Sequence, residues 1–172
     1  MNLVLTGFMS VGKSVTGKIL SEKLLKEFFD TDVLIEKKIG LSINAIFEKF
    51  GEKEFRHMES DIVKTLSQCD SSVISCGGGV VLNPLNVKIL RSKGVIVNLY
   101  ASPETIYERI KTDSTRPLLK QKNPLDEIKR LLELRKEIYS DCDYAFNTDG
   151  LTPYQVASNI LNAMDNVSIY KL

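Results

Sequence analysis

The segment Gly7–Ser14 fits the pattern GxxxxGK[ST], which binds phosphate groups when it joins a strand to a helix. A β-rich run precedes it, and a stretch with the apolar spacing of an amphipathic helix follows it. The glycines at its two ends allow successive N–H groups to point inward as an anion nest. Lys13 is expected to reach the β- and γ-phosphates, and the Ser14 hydroxyl to bind Mg²⁺. The segment therefore predicts a nucleoside triphosphate site without naming the phosphate acceptor; the alternative is a glycine turn that matches by chance.

Two carboxylates follow the short run Phe28-Phe29. Asp30 and Asp32 are separated by one residue, so in an extended chain both side chains point to the same side. Strand C-termini line the ligand crevice of a doubly wound sheet, and both carboxylates would then face the phosphates. One of them can hold Mg²⁺ through water, and the other can accept a proton from an attacking hydroxyl. The alternative is an Asx turn with a helix N-cap at Asp32.

Two segments are candidates for contact with the acceptor. The triplet Gly77-Gly78-Gly79 follows a strand-like run, and the absence of Cβ atoms would let the backbone pass close to a ligand. The alternative is a flexible turn. Arg56 lies in a helical stretch, three residues before Glu59, and can pair with it on one face. An ordinary surface ion pair, which contributes little, is the alternative there.

Two more arginines are candidates. Arg116 lies in a polar segment between two predicted helices, where a mobile loop can place a guanidinium on the transferring phosphoryl group. Arg135 precedes Tyr139 by four residues and is expected on the same helix face. Either arginine alone would be interpreted as solvated surface.

Short β-rich runs alternate with stretches of helical spacing, which predicts a parallel sheet covered by helices on both faces. The runs are at 3–6, 28–29, 73–75, 95–100 and 144–146. Four prolines follow a capping side chain and predict helix starts near 84, 103, 124 and 153. Gly40 and Gly94 are expected to end helices in the left-handed conformation.

Composition excludes several classes of protein. The length of 172 residues predicts one domain. With 23 basic and 22 acidic side chains the net charge is +1, so the chain has no overall electrostatic field that would attract nucleic acid or an anionic membrane. No apolar run approaches the ~20 residues of a membrane span. The N-terminus has no basic region of a secretory signal, and three cysteines without a CxxC pair predict reduced thiols. A cytoplasmic location is the expectation.

Taken in order, these motifs resemble the shikimate kinase family over about residues 3–165. The segments that carry the resemblance are Phe29-Asp30-Thr31-Asp32, Gly51-Glu52-Lys53-Glu54-Phe55-Arg56, Ile74-Ser75-Cys76-Gly77-Gly78-Gly79, Thr115-Arg116-Pro117-Leu118-Leu119 and Arg135-Lys136-Glu137-Ile138-Tyr139. The resemblance implies an α/β P-loop fold, a three-layer sandwich with five parallel strands in the order 2-3-1-4-5. It also implies one kinase domain over 1–172, with a substrate-binding segment near 33–61 and a lid near 112–124.

The same resemblance implies phosphorylation of the 3-hydroxyl of shikimate by MgATP, in chorismate and aromatic amino acid biosynthesis, by a monomer. Asp32 would bind the substrate hydroxyls and act as base, and Arg56 and Arg135 would hold the carboxylate. Gly77, Gly78 and Gly79 would border the ring. Asp30, through water, and Ser14 would support Mg²⁺. The residues expected on ATP are Ser10, Val11, Gly12, Lys13, Ser14, Val15, Arg109 and Arg116, and those expected in catalysis are Asp32, Lys13 and Arg116.

The chain departs from the family pattern at three places. Ser10 stands where the family commonly has glycine, and Val15 stands where threonine is common. Leu151 stands where many members place a basic residue beside the adenine. Arg109 is a candidate to stack on the adenine, but the departure at Leu151 leaves the adenine contacts open.

Two other functions remain open. A gluconate or nucleoside-monophosphate kinase would share the fold, although Asp32 together with Arg56 and Arg135 favours an acceptor that is a carboxylated polyol. A nucleotide-binding switch would bind ATP without an acceptor. It has no need for a base at Asp32 or a closing arginine at Arg116, so these residues argue against it.

Overall fold

A five-stranded sheet forms the centre of the part of the chain that the computed structural model describes, residues 1–111 and 123–169. Its order is β2-β3-β1-β4-β5, and every neighbouring pair is parallel. The predicted fold class and strand order are confirmed. The strands are β1 (Asn2–Thr6), β2 (Glu27–Asp30), β3 (Ser72–Ser75), β4 (Gly94–Tyr100) and β5 (Tyr144–Asn147).

Helices connect the strands. They are α1 (Lys13–Leu24), α2 (Thr31–Ile39), α3 (Ile43–Leu66), α4 (Pro84–Lys93), α5 (Pro103–Ile110), α6 (Pro124–Leu134), α7 (Lys136–Ser140) and α8 (Pro153–Ile169), with a short 3₁₀ turn at Val80–Leu82. The four predicted proline starts are confirmed. The reason is local, because proline lacks only an N–H that has no helical partner at the first position. None of the helices in the described ranges is long and apolar enough to cross a bilayer.

Two predicted helix ends have different outcomes. Gly40 ends α2 with φ 74°, as expected for a left-handed cap. Gly94 also ends its helix, α4, but the expected left-handed conformation is wrong, because this residue is extended, with φ −147°, and begins β4. A Cβ at Gly94 would lie 3.0 Å from a Val4 methyl group, so close packing against β1 accounts for the glycine.

The helix α3 changes direction at Gly51, where φ is 79° and ψ is 169°. This conformation is open to glycine at little cost. The interruption starts a new helical turn at Glu52 and thereby sets the direction of the segment that carries Arg56.

The parallel register brings the carboxyl ends of three strands to one edge of the sheet. Leu5 of β1 and Asp30 of β2 both pair with Ser75 of β3. All residues of β1 and β3 are buried, so these strands form a fixed support. The loops that follow β1, β2 and β3 therefore meet at this edge, where ligands bind in open α/β sheets.

Candidate active site

The phosphate loop joins β1 to α1 and has the shape of an anion nest. Its backbone enters the positive-φ region at Gly7 (132°), Ser10 (60°) and Gly12 (100°). The ammonium group of Lys13 donates to the carbonyl oxygens of Gly7 (2.9 Å) and Phe8 (2.7 Å). These bonds fold the lysine over the loop at the N-terminus of α1, where backbone N–H groups and the helix dipole favour an anion.

A cavity of about 320 Å³ opens above this loop and contains most of the residues predicted for phosphate and Mg²⁺ binding, together with Asp32 and Gly78 of the predicted acceptor site. It is lined by Met9, Ser10, Gly12, Lys13, Ser14, Val15, Asp30, Asp32, Ser75, Cys76 and Gly78. Residues that are up to about 70 positions apart in the chain therefore share one space.

A larger cavity of about 630 Å³ adjoins the loop and has a mainly apolar lining that includes Phe8, Leu132 and Tyr139. Among the predicted site residues that the structure describes, only Val11 lines it, and its side chain is buried there. Val11 can therefore serve a nucleotide only through its backbone. The smaller cavity contains the predicted carboxylates Asp30 and Asp32, so it is the candidate site of phosphoryl transfer.

The expectation that Asp30 and Asp32 both lie in extended chain is wrong. Strand β2 ends at Asp30 and α2 begins at Thr31. Asp30, rather than Asp32, caps the helix, with Oδ1 accepting from the N–H of Asp32 (3.1 Å) and Val33 (3.4 Å). The physical reason is that the first N–H groups of a helix have no internal acceptor. Both carboxylates still line the smaller cavity.

Ser14 and Asp30 form an oxygen-rich pair suited to Mg²⁺. The Ser14 hydroxyl donates to Asp30 Oδ2 (2.6 Å) and lies 3.4 Å from the hydroxyl oxygen of Ser75. Hydroxyl and carboxylate oxygens are hard donors that Mg²⁺ prefers. In residues 1–111 and 123–169, no group of three or more His, Cys, Asp and Glu side chains could hold a metal ion. The pair therefore fits an ion whose other ligands are water and nucleotide phosphates.

The glycine triplet is shaped by side chains that lie against it. A Cβ at Gly77 would collide with Asp32 Oδ1, and a Cβ at Gly79 would collide with the guanidinium of Arg56. Neither glycine has a positive φ. The triplet therefore serves close approach rather than a special turn conformation, and the approaching groups are two predicted substrate-binding side chains.

Arg56 is held by two carboxylates of α3. Its Nη1 donates to Glu59 Oε2 and its Nη2 to Glu52 Oε1, each at 2.7 Å. The side chain of Glu59 is 1% exposed, so the alternative of a surface pair is wrong for this contact. Glu59 Oε1 is also buried and has no hydrogen-bond partner among the described residues.

Burial raises the pKa of Glu59 to about 7, although Arg56 opposes the shift and the charge of Asp32 adds to it. Burial by itself would lower the pKa of Arg56, but Glu59 and Glu52 outweigh it and raise that pKa overall. Arg56 therefore stays cationic, which is the state needed to bind an anionic acceptor.

Arg135 lies at the junction between α6 and α7, with φ −105° and ψ 3°. The helical path is interrupted at Arg135, but its carbonyl accepts from the N–H of Tyr139 (2.9 Å), one turn along α7, so the two residues lie together as expected. The guanidinium carbon of Arg135 lies 5.7 Å from the centre of the Phe8 ring in the phosphate loop. The Tyr139 hydroxyl donates to the carbonyl of Gly78 (2.7 Å). Burial raises the pKa of Tyr139, and the cations Arg135 and Arg56 partly oppose the shift, which places both arginines near this hydroxyl.

Arg109 connects the phosphate loop to the loop that follows β5. Its Nη1 donates to the Ser10 carbonyl (3.2 Å) and to Thr148 Oγ1 (3.1 Å), and its Nη2 donates to the Thr148 carbonyl (2.9 Å). This position is beside the expected nucleotide. Arg116 and the lid predicted at 112–124 lie outside the described residues, except for 123–124 at the start of α6.

Sequence reasoning missed two contributors. Thr31 is fully buried, and its hydroxyl accepts from the N–H of Gly77 (2.7 Å), which fixes α2 to the glycine triplet. Glu52 is the second partner of Arg56. Its spacing of four residues from Arg56 was a signal for that contact. No local pattern identified Thr31.

Comparison with known proteins agrees with this geometry. The family model described as shikimate kinase matches residues 9–165. A shikimate kinase of Caldicellulosiruptor bescii is 50% identical over 161 residues, which are 94% of each chain. Identity at this level therefore extends over nearly the whole length of both chains.

Solved structures give the same result. Shikimate kinase from Acinetobacter baumannii in complex with shikimate has a TM-score of 0.92 at 34% identity, covering 96% of this chain and 93% of the other. Shikimate kinase from Aquifex aeolicus has a TM-score of 0.86 at 40% identity, covering 98% of both chains. Sequence motifs, strand order and site geometry thus agree, and the chain belongs to the shikimate kinase family.

Proposed function

We propose that this protein transfers the γ-phosphoryl group of ATP to the 3-hydroxyl of shikimate and gives shikimate 3-phosphate and ADP. This reaction belongs to chorismate and aromatic amino acid biosynthesis. One observation carries the proposal: Asp32 and Gly78 share a cavity with the phosphate loop, and Arg56 lies against the adjoining Gly79. Family membership supports the choice of acceptor.

The arginines bind the acid end of the acceptor. Arg56 is cationic and is oriented by Glu59. Arg56 and Arg135 both lie close to the Tyr139 hydroxyl. Guanidinium groups bind carboxylates with directional, charge-assisted hydrogen bonds. A ring carboxylate held between these arginines leaves its hydroxyls on the side of Asp32 and the phosphate loop.

Asp32 serves the hydroxyl end. Its carboxylate accepts a hydrogen bond from the acceptor hydroxyl and takes the proton as the oxygen attacks the γ-phosphorus. The bond from that phosphorus to the β,γ-bridging oxygen breaks, and ADP leaves with the electron pair. Phosphoryl transfer depends mainly on positioning and charge neutralisation, so no protein nucleophile is required.

The phosphate loop and its neighbours serve the nucleotide. Lys13 turns from the loop carbonyls to the β- and γ-phosphates, and the backbone of Ser10 to Val15 binds phosphate oxygens. Ser14 and, through water, Asp30 would hold Mg²⁺, which would neutralise phosphate charge. Arg109 lies beside the adenine, and Arg116 is assigned to the transferring group on the sequence pattern alone.

The test is acceptor-dependent ADP release by the purified chain with Mg²⁺ and ATP. Shikimate, gluconate, AMP and no acceptor are compared under the same conditions. We expect shikimate alone to raise the rate well above the background without acceptor. Turnover of gluconate or AMP without turnover of shikimate would contradict the proposal, and nucleotide binding without any acceptor-dependent release would favour a switch protein.

We also propose that the chain acts as a monomer in the cytoplasm. Cys69, Cys76 and Cys142 are free thiols, which suits a reducing compartment.

A further inference from the structure

The two carboxylates that hold Arg56 differ in their environment. Both accept a hydrogen bond from the guanidinium at 2.7 Å. The Glu59 side chain is 1% exposed, whereas the Glu52 side chain is 64% exposed. The same arginine therefore has one partner inside the protein and one partner at the solvent boundary.

The backbone at Gly79 determines which nitrogen of the Arg56 guanidinium each glutamate contacts. A Cβ at Gly79 would collide with Nη1 of Arg56 and would lie 2.8 Å from Nη2, so the guanidinium rests on the glycine triplet. Nη1 faces the buried Glu59. Nη2 faces Glu52, in the first turn after the interruption at Gly51.

We propose that Glu52 competes internally with the carboxylate of the acceptor for Arg56. In the free protein it occupies Nη2, and it leaves when an acceptor with a carboxylate binds there. The inference rests on the proposed function, in which Arg56 binds the carboxylate of shikimate.

The difference in burial decides which carboxylate leaves. An exposed ion pair is worth little, because solvent compensates both charges when it opens. Removal of the buried partner would instead leave an uncompensated charge in the protein. Glu59 therefore stays on Nη1 and orients the guanidinium, while the Glu52 contact opens at small cost.

The competition affects acceptors according to their charge. An acceptor with a carboxylate replaces the anion that it displaces, so its affinity is reduced only by the small stability of the Glu52 contact. A neutral acceptor supplies no replacement and leaves the Glu52 contact closed. Glu52 thus lowers the affinity for shikimate slightly and keeps Arg56 paired until a carboxylate arrives.

The test compares Glu52→Gln with Glu54→Gln, which removes the same charge two residues away, from an exposed glutamate beside His57. We expect Glu52→Gln to lower the KM for shikimate about two- to fivefold, the range of an exposed ion pair. The effect should fall on KM for shikimate rather than on kcat or KM for ATP. Glu54→Gln should leave KM for shikimate unchanged.

Three results would overturn the inference. They are an unchanged KM for shikimate in Glu52→Gln, a raised KM, which would make Glu52 a positioning residue, and an equal decrease in Glu54→Gln, which would indicate a general charge effect. The Glu52→Gln change is then repeated in an Arg56→Gln background, where it should have no effect.

The Arg56→Gln variant also separates this inference from the proposed function. If Arg56→Gln raises KM for shikimate but Glu52→Gln does not lower it, only the competition is wrong. If Arg56→Gln leaves KM for shikimate unchanged, Arg56 does not bind the acceptor, and the proposed site and the competition both fail.

Discussion

Asp32 and Glu59 place carboxylate oxygens against the same glycine, yet their surroundings give them different tasks. A Cβ at Gly77 would collide with Asp32 Oδ1 and would lie 3.0 Å from Glu59 Oε1. Glu59 is paired with Arg56, whereas Asp32 lines the cavity that contains the phosphate loop. Environment rather than residue type thus pairs Glu59 with an arginine and leaves Asp32 in the cavity, where the proposed function gives it contact with the acceptor.

We expect Asp32→Asn to lower kcat at least ~100-fold, because an amide cannot take the proton of the acceptor hydroxyl. The affinity for MgATP should change little, because the phosphate loop is intact. Steady-state kinetics and nucleotide titration provide the two measurements. Asp61→Asn, at an exposed aspartate of α3 that pairs with Lys64, is the control. Near-normal turnover in Asp32→Asn would remove Asp32 from the role of base.

The raised pKa of Glu59 links folding stability to pH. This pKa is about 7 in the folded protein, against an ordinary value of 4.5. Between these pH values the folded state binds more protons than the unfolded state, so the free energy of unfolding should fall as pH rises. The stabilisation from this group is complete below about pH 4.5 and is lost as pH passes through 7, with a total of up to about 3 kcal/mol.

Denaturant unfolding at a series of pH values tests this linkage. Glu59→Gln should remove that part of the pH dependence, because its amide does not titrate. Glu54→Gln should retain the dependence. The same slope in the wild type and in Glu59→Gln would show that another group is responsible.

At the scale of elements, short interruptions place the functional side chains. Gly51 redirects α3 before Arg56, and the break at Arg135 separates α6 from α7. Asp30 ends β2 and caps α2 in one residue. Each interruption brings a charged side chain to the carboxyl edge of the sheet, where an uninterrupted helix or strand would carry it past the site.

Gly7 shows how tightly the phosphate loop packs on the sheet. Its φ is 132°, and a Cβ there would collide with the backbone carbonyl of Leu99 in β4. We expect Gly7→Ala to cost more than about 3 kcal/mol of unfolding free energy, because backbone must move, and to abolish ATP binding. Gly40→Ala is the control, since Gly40 has φ 74° with nothing within 4 Å of its Cβ.

The control should lose only about 1 kcal/mol, the strain of a left-handed conformation in a residue with a Cβ. Denaturant titration measures both losses, and nucleotide titration measures binding. Equal losses in the two variants would show that the contact with Leu99 adds nothing to the strain.

At the scale of the whole molecule, the parallel sheet collects separate parts of the chain at one edge. Loops that follow β1, β2 and β3 provide the phosphate site, the aspartates and the glycine triplet. The helix α3 and the α6–α7 junction add the two arginines. Under the proposed function the two substrates bind to different elements at this edge of the sheet, and each should stabilise the fold.

We expect MgADP and shikimate each to raise Tm, because a ligand that binds only the folded state stabilises it by mass action. At a concentration of about 100 times Kd the gain is ~2.7 kcal/mol, or roughly 5–11 °C for a domain of this size. Thermal unfolding with each ligand measures the shifts. Arg56→Gln should lose most of the shift with shikimate and keep that with MgADP. An undiminished shikimate shift in Arg56→Gln would place the acceptor elsewhere.

The sequence determined the local features. The phosphate loop, the strand runs and the proline helix starts depend on neighbouring residues, whose backbone preferences act over a few positions. The order of motifs also indicated the family, and with it the strand order. These parts of the fold and most members of the candidate site were predictable for that reason.

Only the tertiary structure decided what surrounds those residues. Glu59 is buried, Gly79 is covered by Arg56, and Arg135 reaches the Phe8 ring, because segments distant in the chain pack together. Burial and electrostatic environment are sums over such contacts, and residue spacing does not contain them. The sequence therefore identified the chemical groups, and packing across the sheet edge set their partners and their charge states.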